Sequence, residues 1–112
     1  MFGLCMIKDY LDEILDGKKT NDVRSYDTNK RGTIALVDSR SAKVYGYVDL
    51  VGTHKITPQG YASWHCTGKW SGCTMQVDES KDYYSYDFVN PRRVEIPYKV
   101  NKDKKVWIWI DD

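Results

Sequence analysis

Short apolar runs separated by polar turns make up most of this chain, and several of them have the composition of β-strands. Successive side chains of a strand point to opposite faces, so a half-buried strand carries apolar residues at every second position. β-Branched and aromatic residues, which fit a pleated surface, are concentrated in the same runs. The predicted strands span residues 4–7, 33–37, 44–51, 83–89, 93–98 and 106–110.

Helical spacing is clearest just after the first of these runs. Leu11, Ile14 and Leu15 recur at i, i+3 and i+4, which places them on one face of a helix. Asp9 is the expected N-cap, and Gly17 is the expected left-handed stop. The pattern predicts a helix of about two turns, which is too short to persist unless it packs on the rest of the fold.

A second short helix is expected later in the chain. Thr57 is a suitable N-cap and Pro58 a suitable first helical residue, so the helix is predicted to run to about Cys66. In the strand at 44–51, Gly46 interrupts the apolar set and predicts a bulge or a close backbone approach. Several short strands with two short helices favour an α+β fold built on a closed or nearly closed barrel, because closure removes exposed edges.

Length and charge limit the functional classes. The 112 residues are expected to form a single domain spanning residues 1–112. With 17 basic and 16 acidic residues the net charge is +1. Any contact with nucleic acid therefore has to come from a local basic patch, because the protein as a whole has almost no net positive charge to attract it. No apolar run is long enough to span a membrane, and no secretory leader is recognisable. A cytoplasmic location without a membrane partner is therefore expected.

The cysteines do not indicate a disulfide framework or a metal site. Their number is odd, at positions 5, 66 and 73, and six residues separate Cys66 from Cys73. Structural zinc sites usually pair their cysteines at closer spacing. His54 and His65 are too scattered to complete a convincing ligand set. We therefore predict no metal and no cofactor.

The most informative polar segment is Gly17-Lys18-Lys19-Thr20-Asn21-Asp22-Val23-Arg24, directly after the first helix. In a strand, alternation would place Thr20, Asp22 and Arg24 on one face, with Lys19 at the start of the strand. Such a set of donors and acceptors could hold a phosphate or the polar edge of a base.

This segment resembles the G-x-K-T-x-E-x-R signature of the ASCH domains, members of the PUA-like superfamily, with Asp22 at the position of the more usual Glu. The resemblance covers most of the chain, in three stretches that follow the right order, the first of which runs into the signature. They are the opening at 7–20, the strands around 30–32 and 46–51, and a tail from 84 to 97 with the closing Trp107. The resemblance implies a PUA-like β-barrel of about five to seven strands with two short helices.

The resemblance also implies a function, namely binding of RNA or a nucleotide in a cleft lined by the signature. The basic side chains would bind phosphate. The Thr20 hydroxyl and the Asp22 carboxylate would hydrogen-bond to a base or ribose, and aromatic side chains would stack on bases. Tyr84 and Trp109 are further stacking candidates, although core packing is the alternative for any aromatic residue. An ion pair with a purely structural role is the alternative for the Asp/Arg pair. The expected binding residues are Lys8, Lys19, Thr20, Asp22, Arg24 and Tyr86.

Two other functions stay open. Some small bacterial ASCH proteins remove the acetyl group from N4-acetylcytidine, using the signature lysine and a threonine three residues after it. Here Lys19 matches the lysine and Asp22 occupies the threonine position, so the threonine role is unfilled unless Thr20 takes it. A different arrangement would use Asp22 as base and Lys19 as electrostatic donor. The third possibility is a protein-interaction module, since ASCH domains also occur within transcription coactivators.

Overall fold

The computed structural model describes residues 1–58, 60 and 80–111. Their strands form one six-stranded sheet in the order β2-β5-β4-β3-β1-β6. β1 pairs with β3 in parallel, whereas the other neighbouring strands pair antiparallel. The elements in chain order are β1 (Phe2–Met6), α1 (Lys8–Leu15), β2 (Asn21–Arg24), β3 (Gly32–Asp38), β4 (Lys43–Ile56), β5 (Tyr83–Lys99) and β6 (Trp107–Trp109).

The sheet curls into a half-barrel, which brings its two ends together. Arg24 on the edge strand β2 donates from Nη2 to the carbonyl of Cys5 on β1, at 3.0 Å. Tyr86 on β5 stacks on Trp107 of β6, with ring centroids 6.3 Å apart. These contacts join strands that are not neighbours in the hydrogen-bonded order. The expected PUA-like α+β architecture is confirmed, and six strands fall within the expected range.

Each face of the sheet carries its own hydrophobic cluster, as strand alternation requires. The cluster on one face takes residues from β1, β3, β4 and β5, and α1 packs against it through Leu11, Ile14 and Leu15. The cluster on the opposite face includes Cys5, Val37 and residues that follow or belong to β6. The short helix is therefore held in place by the sheet, as its length requires.

The helix begins earlier than the sequence predicts. Its N-cap is Ile7, which has extended backbone angles and makes no side-chain cap bond, so the prediction of Asp9 as N-cap is wrong. The Ile7 carbonyl already accepts the first helical bond, from the N–H of Leu11 at 3.1 Å. Asp9 lies in the first turn instead, where its negative charge interacts favourably with the positive end of the helix dipole. The left-handed stop at Gly17 is confirmed by its φ of +78°.

Two predicted strands, at 83–89 and 93–98, form one continuous strand, β5 (Tyr83–Lys99). The proline was expected to separate them. Asn90 adopts a φ of +58°, and the pairing register with β4 shifts in this region. A bulge of this kind accommodates Pro91, which has no N–H for the ladder, and bends the strand without ending it.

Gly46 fulfils both expectations made for it. The register between β4 and β5 shifts between Val44 and Gly46. A Cβ atom at Gly46 would lie 2.5 Å from the carbonyl oxygen of Arg92 and 2.6 Å from Leu15 Cδ2. The absence of a side chain therefore lets β5 and α1 approach the strand at this point.

The second predicted helix lies largely outside the described residues. Its expected N-cap is consistent with one contact, because Thr57 Oγ1 accepts a bond from the N–H of Gly60 at 3.0 Å. His65, Cys66 and Cys73 also lie outside the described residues, so the expectation of no metal stays a prediction. Within the described part of the chain, no three His, Cys, Asp or Glu side chains form a group suited to a metal. No helix in that part could cross a bilayer.

The turn after β3 depends on a buried carboxylate. Burial acts to raise the pKa of Asp38, but bonds from Ser41 Oγ at 2.7 Å and from the N–H groups of Arg40 and Ser41 outweigh it. They hold the pKa of Asp38 below its usual range. A carboxyl group whose pKa is lower in the folded state stabilises the fold above its unfolded pKa of about 3.9, and that contribution is lost as pH falls through the folded value.

We therefore expect Asp38→Asn to lower the free energy of unfolding by about 1–2 kcal/mol at pH 7, because the bonds lose their charged acceptor. The difference between parent and variant should shrink below about pH 4. Urea unfolding of both proteins at pH 7 and pH 3 checks this. A difference that is the same at both pH values would contradict the role given to the charge.

Candidate functional site

Asp22 and Arg24 form a close ion pair on one face of β2, as strand alternation predicts. Arg24 Nε donates to Asp22 Oδ2 at 2.6 Å, and Asp22 is only 4% exposed. Burial works against the charged form of Arg24, but the adjacent carboxylate outweighs it and raises the pKa of Arg24. Since the same guanidinium also bonds the Cys5 carbonyl, the pair links β2 to β1.

The pair contributes to the wall of a cleft of about 320 Å³. The cleft lies where β1 ends and α1 begins, against the last residues of β2. It combines one acid and one base with apolar and hydroxyl side chains, so it can offer both polar contacts and a surface for a ring. Its lining consists of Cys5, Met6, Ile7, Tyr10, Asp22, Val23, Arg24 and Ser39.

Lys19 and Thr20 lie just before β2, outside this lining. The N–H of Lys19 donates to the Glu13 carbonyl at 3.1 Å. This bond holds the segment that leads into β2 against the last turn of α1. The Thr20 carbonyl accepts from the N–H of Phe88 at 2.9 Å. Lys19 is half-buried and Thr20 is exposed. The structure thus brings Asp22 and Arg24 together and leaves Lys19 and Thr20 beside them on the chain.

Lys8, the first residue of α1, lines a neighbouring cleft of about 290 Å³ together with Asp38 and Arg40. Its Nζ donates to Asp12 Oδ2 at 2.8 Å and lies 5.0 Å from the centre of the Tyr45 ring. The bond to Asp12 raises the pKa of Lys8. Lys8 is therefore a surface cation close to the first cleft rather than part of its wall.

Tyr86 lies in the core. Its side chain is fully buried, its ring stacks on Trp107, and its hydroxyl donates to the Tyr26 carbonyl at 2.7 Å. Burial raises the pKa of the Tyr86 hydroxyl well above its ordinary value. The ring face that was expected to stack on a base is in contact with protein.

Tyr10 and Ser39 line the cleft but do not appear among the residues predicted from the sequence. Tyr10 immediately precedes Leu11, the first residue of the apolar helical face, and is half-buried at its margin. Ser39 follows the last residue of β3, and its N–H donates to the Met6 carbonyl at 2.9 Å. Tyr10 lies within the opening that resembles the family, and α1, which follows β1, brings it to the cleft. Ser39 carries no motif and is brought there by the pairing of β1 with β3.

Comparison with known proteins agrees with this architecture. The structure superimposes on the crystal structure of the ASCH protein from Zymomonas mobilis with a TM-score of 0.70 and 11% identity, covering 98% of this chain and 87% of that one. Two single-substitution variants of the same protein give the same score, at 12% and 13% identity, and cover 98% of this chain and 87% and 89% of theirs. At this identity the likeness establishes the fold.

A comparison with curated proteins gives no match. The model of the ASCH domain family matches residues 4–98, which include the signature segment, the cleft, most of β1 and nearly all of β5. Because this match spans far more than half of the sequence, the chain belongs to the ASCH domain family.

Proposed function

We propose that this protein binds a single nucleotide unit, free or within RNA, in the cleft between β1, α1 and β2. The observation that carries the proposal is the Asp22–Arg24 pair in the wall of a cleft of about 320 Å³. Small-molecule sites commonly measure about 300–1,000 Å³, so this cleft suits one nucleoside rather than a larger ligand. Membership of a PUA-like family often linked to RNA binding supports the same ligand class.

The wall supplies the two kinds of contact that a nucleoside needs. Asp22 can accept from a base N–H or a ribose hydroxyl. The guanidinium of Arg24 has five N–H donors, of which Asp22 and Cys5 each engage one among the described residues, so others can reach a ligand oxygen. Tyr10 and the apolar residues beside it offer a surface for the base.

Phosphate would need charge from outside the pair, because Asp22 and Arg24 neutralise each other. Lys19, with Thr20 next to it, lies just before β2, and Lys8 lines the adjoining cleft. In the proposal these cations contact the phosphate while the ion pair orients the base or ribose. The affinity should then depend on salt through a small number of contacts.

We expect Lys19→Ala to weaken binding of cytidine monophosphate and of short RNA, and to reduce the slope of log affinity against log salt by about one. Calorimetric titration at several salt concentrations measures both quantities. Lys18→Ala is the matched control, because Lys18 is adjacent, exposed, and bonds the same Glu13 carbonyl through its N–H at 2.9 Å. Equal effects of the two variants would contradict a specific role for Lys19.

A variant that fills the cleft tests whether the nucleotide binds there or is held by surface charge in general. Ser39→Phe should block the cleft and abolish monophosphate binding, whereas Ser80→Phe, at an exposed turn position, should leave it intact. Circular dichroism of both variants checks that they are folded. Unchanged binding by a folded Ser39→Phe protein would overturn the assignment of the cleft.

Hydrolysis of N4-acetylcytidine is the second candidate, favoured by the placement of a carboxylate in the wall of the cleft. Water would add to the acetyl carbonyl carbon and pass a proton to Asp22. The C–N bond would then break as the protonated Asp22 returned this proton to the exocyclic nitrogen, releasing cytidine and acetic acid, which ionises in solution. Release of cytidine by the parent protein but not by Lys19→Ala would favour the enzyme. No release by the parent protein would leave binding as the function.

A further inference from the structure

Exposed aromatic side chains cluster where β1 and β6 pair at one edge of the sheet. Phe2 lies opposite Trp109 in the ladder, and the two are 38% and 61% exposed. Their rings meet edge to face, with centroids 5.0 Å apart and an angle of 81° between planes. Trp109 Nε1 donates to Asp111 Oδ1 at 3.0 Å, so the exposed indole is held in one orientation. Such fixed aromatic faces suit stacking of a planar ligand.

Lysine side chains surround these rings. Lys30 Nζ lies 4.9 Å from the centre of the Phe2 ring and 5.0 Å from that of Trp107. Lys102 and Lys105 outnumber the one acid, Asp103, in the lining of a cleft of about 240 Å³ that also includes Trp107 and Trp109. A cation above an aromatic face and further cations beside it are the pattern of sites that stack bases while they hold the phosphate backbone.

Trp107 adds an unsatisfied donor at the same place. Its indole Nε1 is buried and has no hydrogen-bond partner among the described residues. A buried donor without a partner is unfavourable. The cleft between the tryptophans and the lysines itself offers an exposed aromatic face and positive charge.

We propose that the patch formed by Phe2, Lys30, Lys102, Lys105, Trp107 and Trp109 is a second subsite that stacks a base of single-stranded RNA. The inference rests on the proposed function for its ligand class. Phe2 and Met6 lie at the two ends of β1, about 13 Å apart at the usual rise of a strand. A stacked strand rising about 3.4 Å per nucleotide spans that distance in about four nucleotides. An RNA decamer is therefore long enough to reach both the cleft and the patch.

Trp109→Ala tests the proposal, with a uridine decamer and uridine monophosphate as probes. We expect decamer affinity to fall about 5- to 150-fold, the range for loss of one stacked base, while monophosphate affinity stays unchanged. Trp109→Phe should retain part of the affinity, because it keeps an aromatic face. Ile96→Ala is the matched control, since Ile96 is 78% exposed, lies on β5 and is not one of the patch residues.

The outcomes distinguish the two proposals. Decamer affinity that depends on Trp109 while the monophosphate fails to bind would overturn the cleft and support the patch. Equal decamer affinities of the parent and Trp109→Ala proteins would overturn the patch, whatever the monophosphate does. A patch that serves a protein partner would leave decamer binding at the cleft unaffected by Trp109→Ala, which also overturns the inference.

Discussion

Arg24→Met is expected to lower the free energy of unfolding by about 3–5 kcal/mol, the usual effect of removing one partner of a buried ion pair. The Asp22 carboxylate, 4% exposed, would lose the charge that compensates its burial. The bond from Arg24 to the Cys5 carbonyl, which links β2 to β1 across the curled sheet, would be lost as well. Urea unfolding followed by circular dichroism measures the change.

A double variant separates the structural role of the pair from its role in binding. Asp22→Leu combined with Arg24→Met removes both charges and leaves no buried ion without a partner, so most of the lost stability should return. Nucleotide binding should remain lost, because the polar wall of the cleft is gone. A single Arg24→Met variant as stable as the parent protein would show that the pair contributes nothing to the fold.

Tyr86→Ala is expected to lower the free energy of unfolding by about 3–5 kcal/mol, because it removes a large, fully buried side chain. The alanine cannot form the stack on Trp107 or the edge-to-face arrangement with Tyr26. Tyr86→Phe keeps the ring and removes only the bond to the Tyr26 carbonyl, so its effect should be about 1 kcal/mol. Urea unfolding measures both variants.

Tyr86→Phe also serves as the control for binding. If Tyr86 has only a structural role, the Tyr86→Phe variant should bind nucleotide as the parent protein does. Weaker binding without loss of stability would instead support a contact between the Tyr86 hydroxyl and the ligand.

Local patterns in the sequence were sufficient for much of the fold. The β-branched and apolar residues of 33–37 predict a strand because they fit a pleated surface, and the alternation in 44–51 predicts one because a sheet with a buried face imposes a period of two. The helical spacing of Leu11, Ile14 and Leu15 predicts the buried face of α1 for the analogous reason. Boundaries were less predictable, since Pro91 suggests a break where a bulge allows β5 to continue.

The sequence by itself determined the family, the strand content, and the placement of Asp22 and Arg24 on one face, because these depend on motif and local periodicity. Only the tertiary structure decided which residues share a cleft. Parallel pairing of β1 with β3 brings Ser39 near Met6, and the curl of the sheet brings Arg24 to Cys5. The tertiary structure also decided which aromatic side chains are buried. Tyr86 lies inside and Trp109 outside, because the position of a side chain depends on which strands the closing sheet brings together.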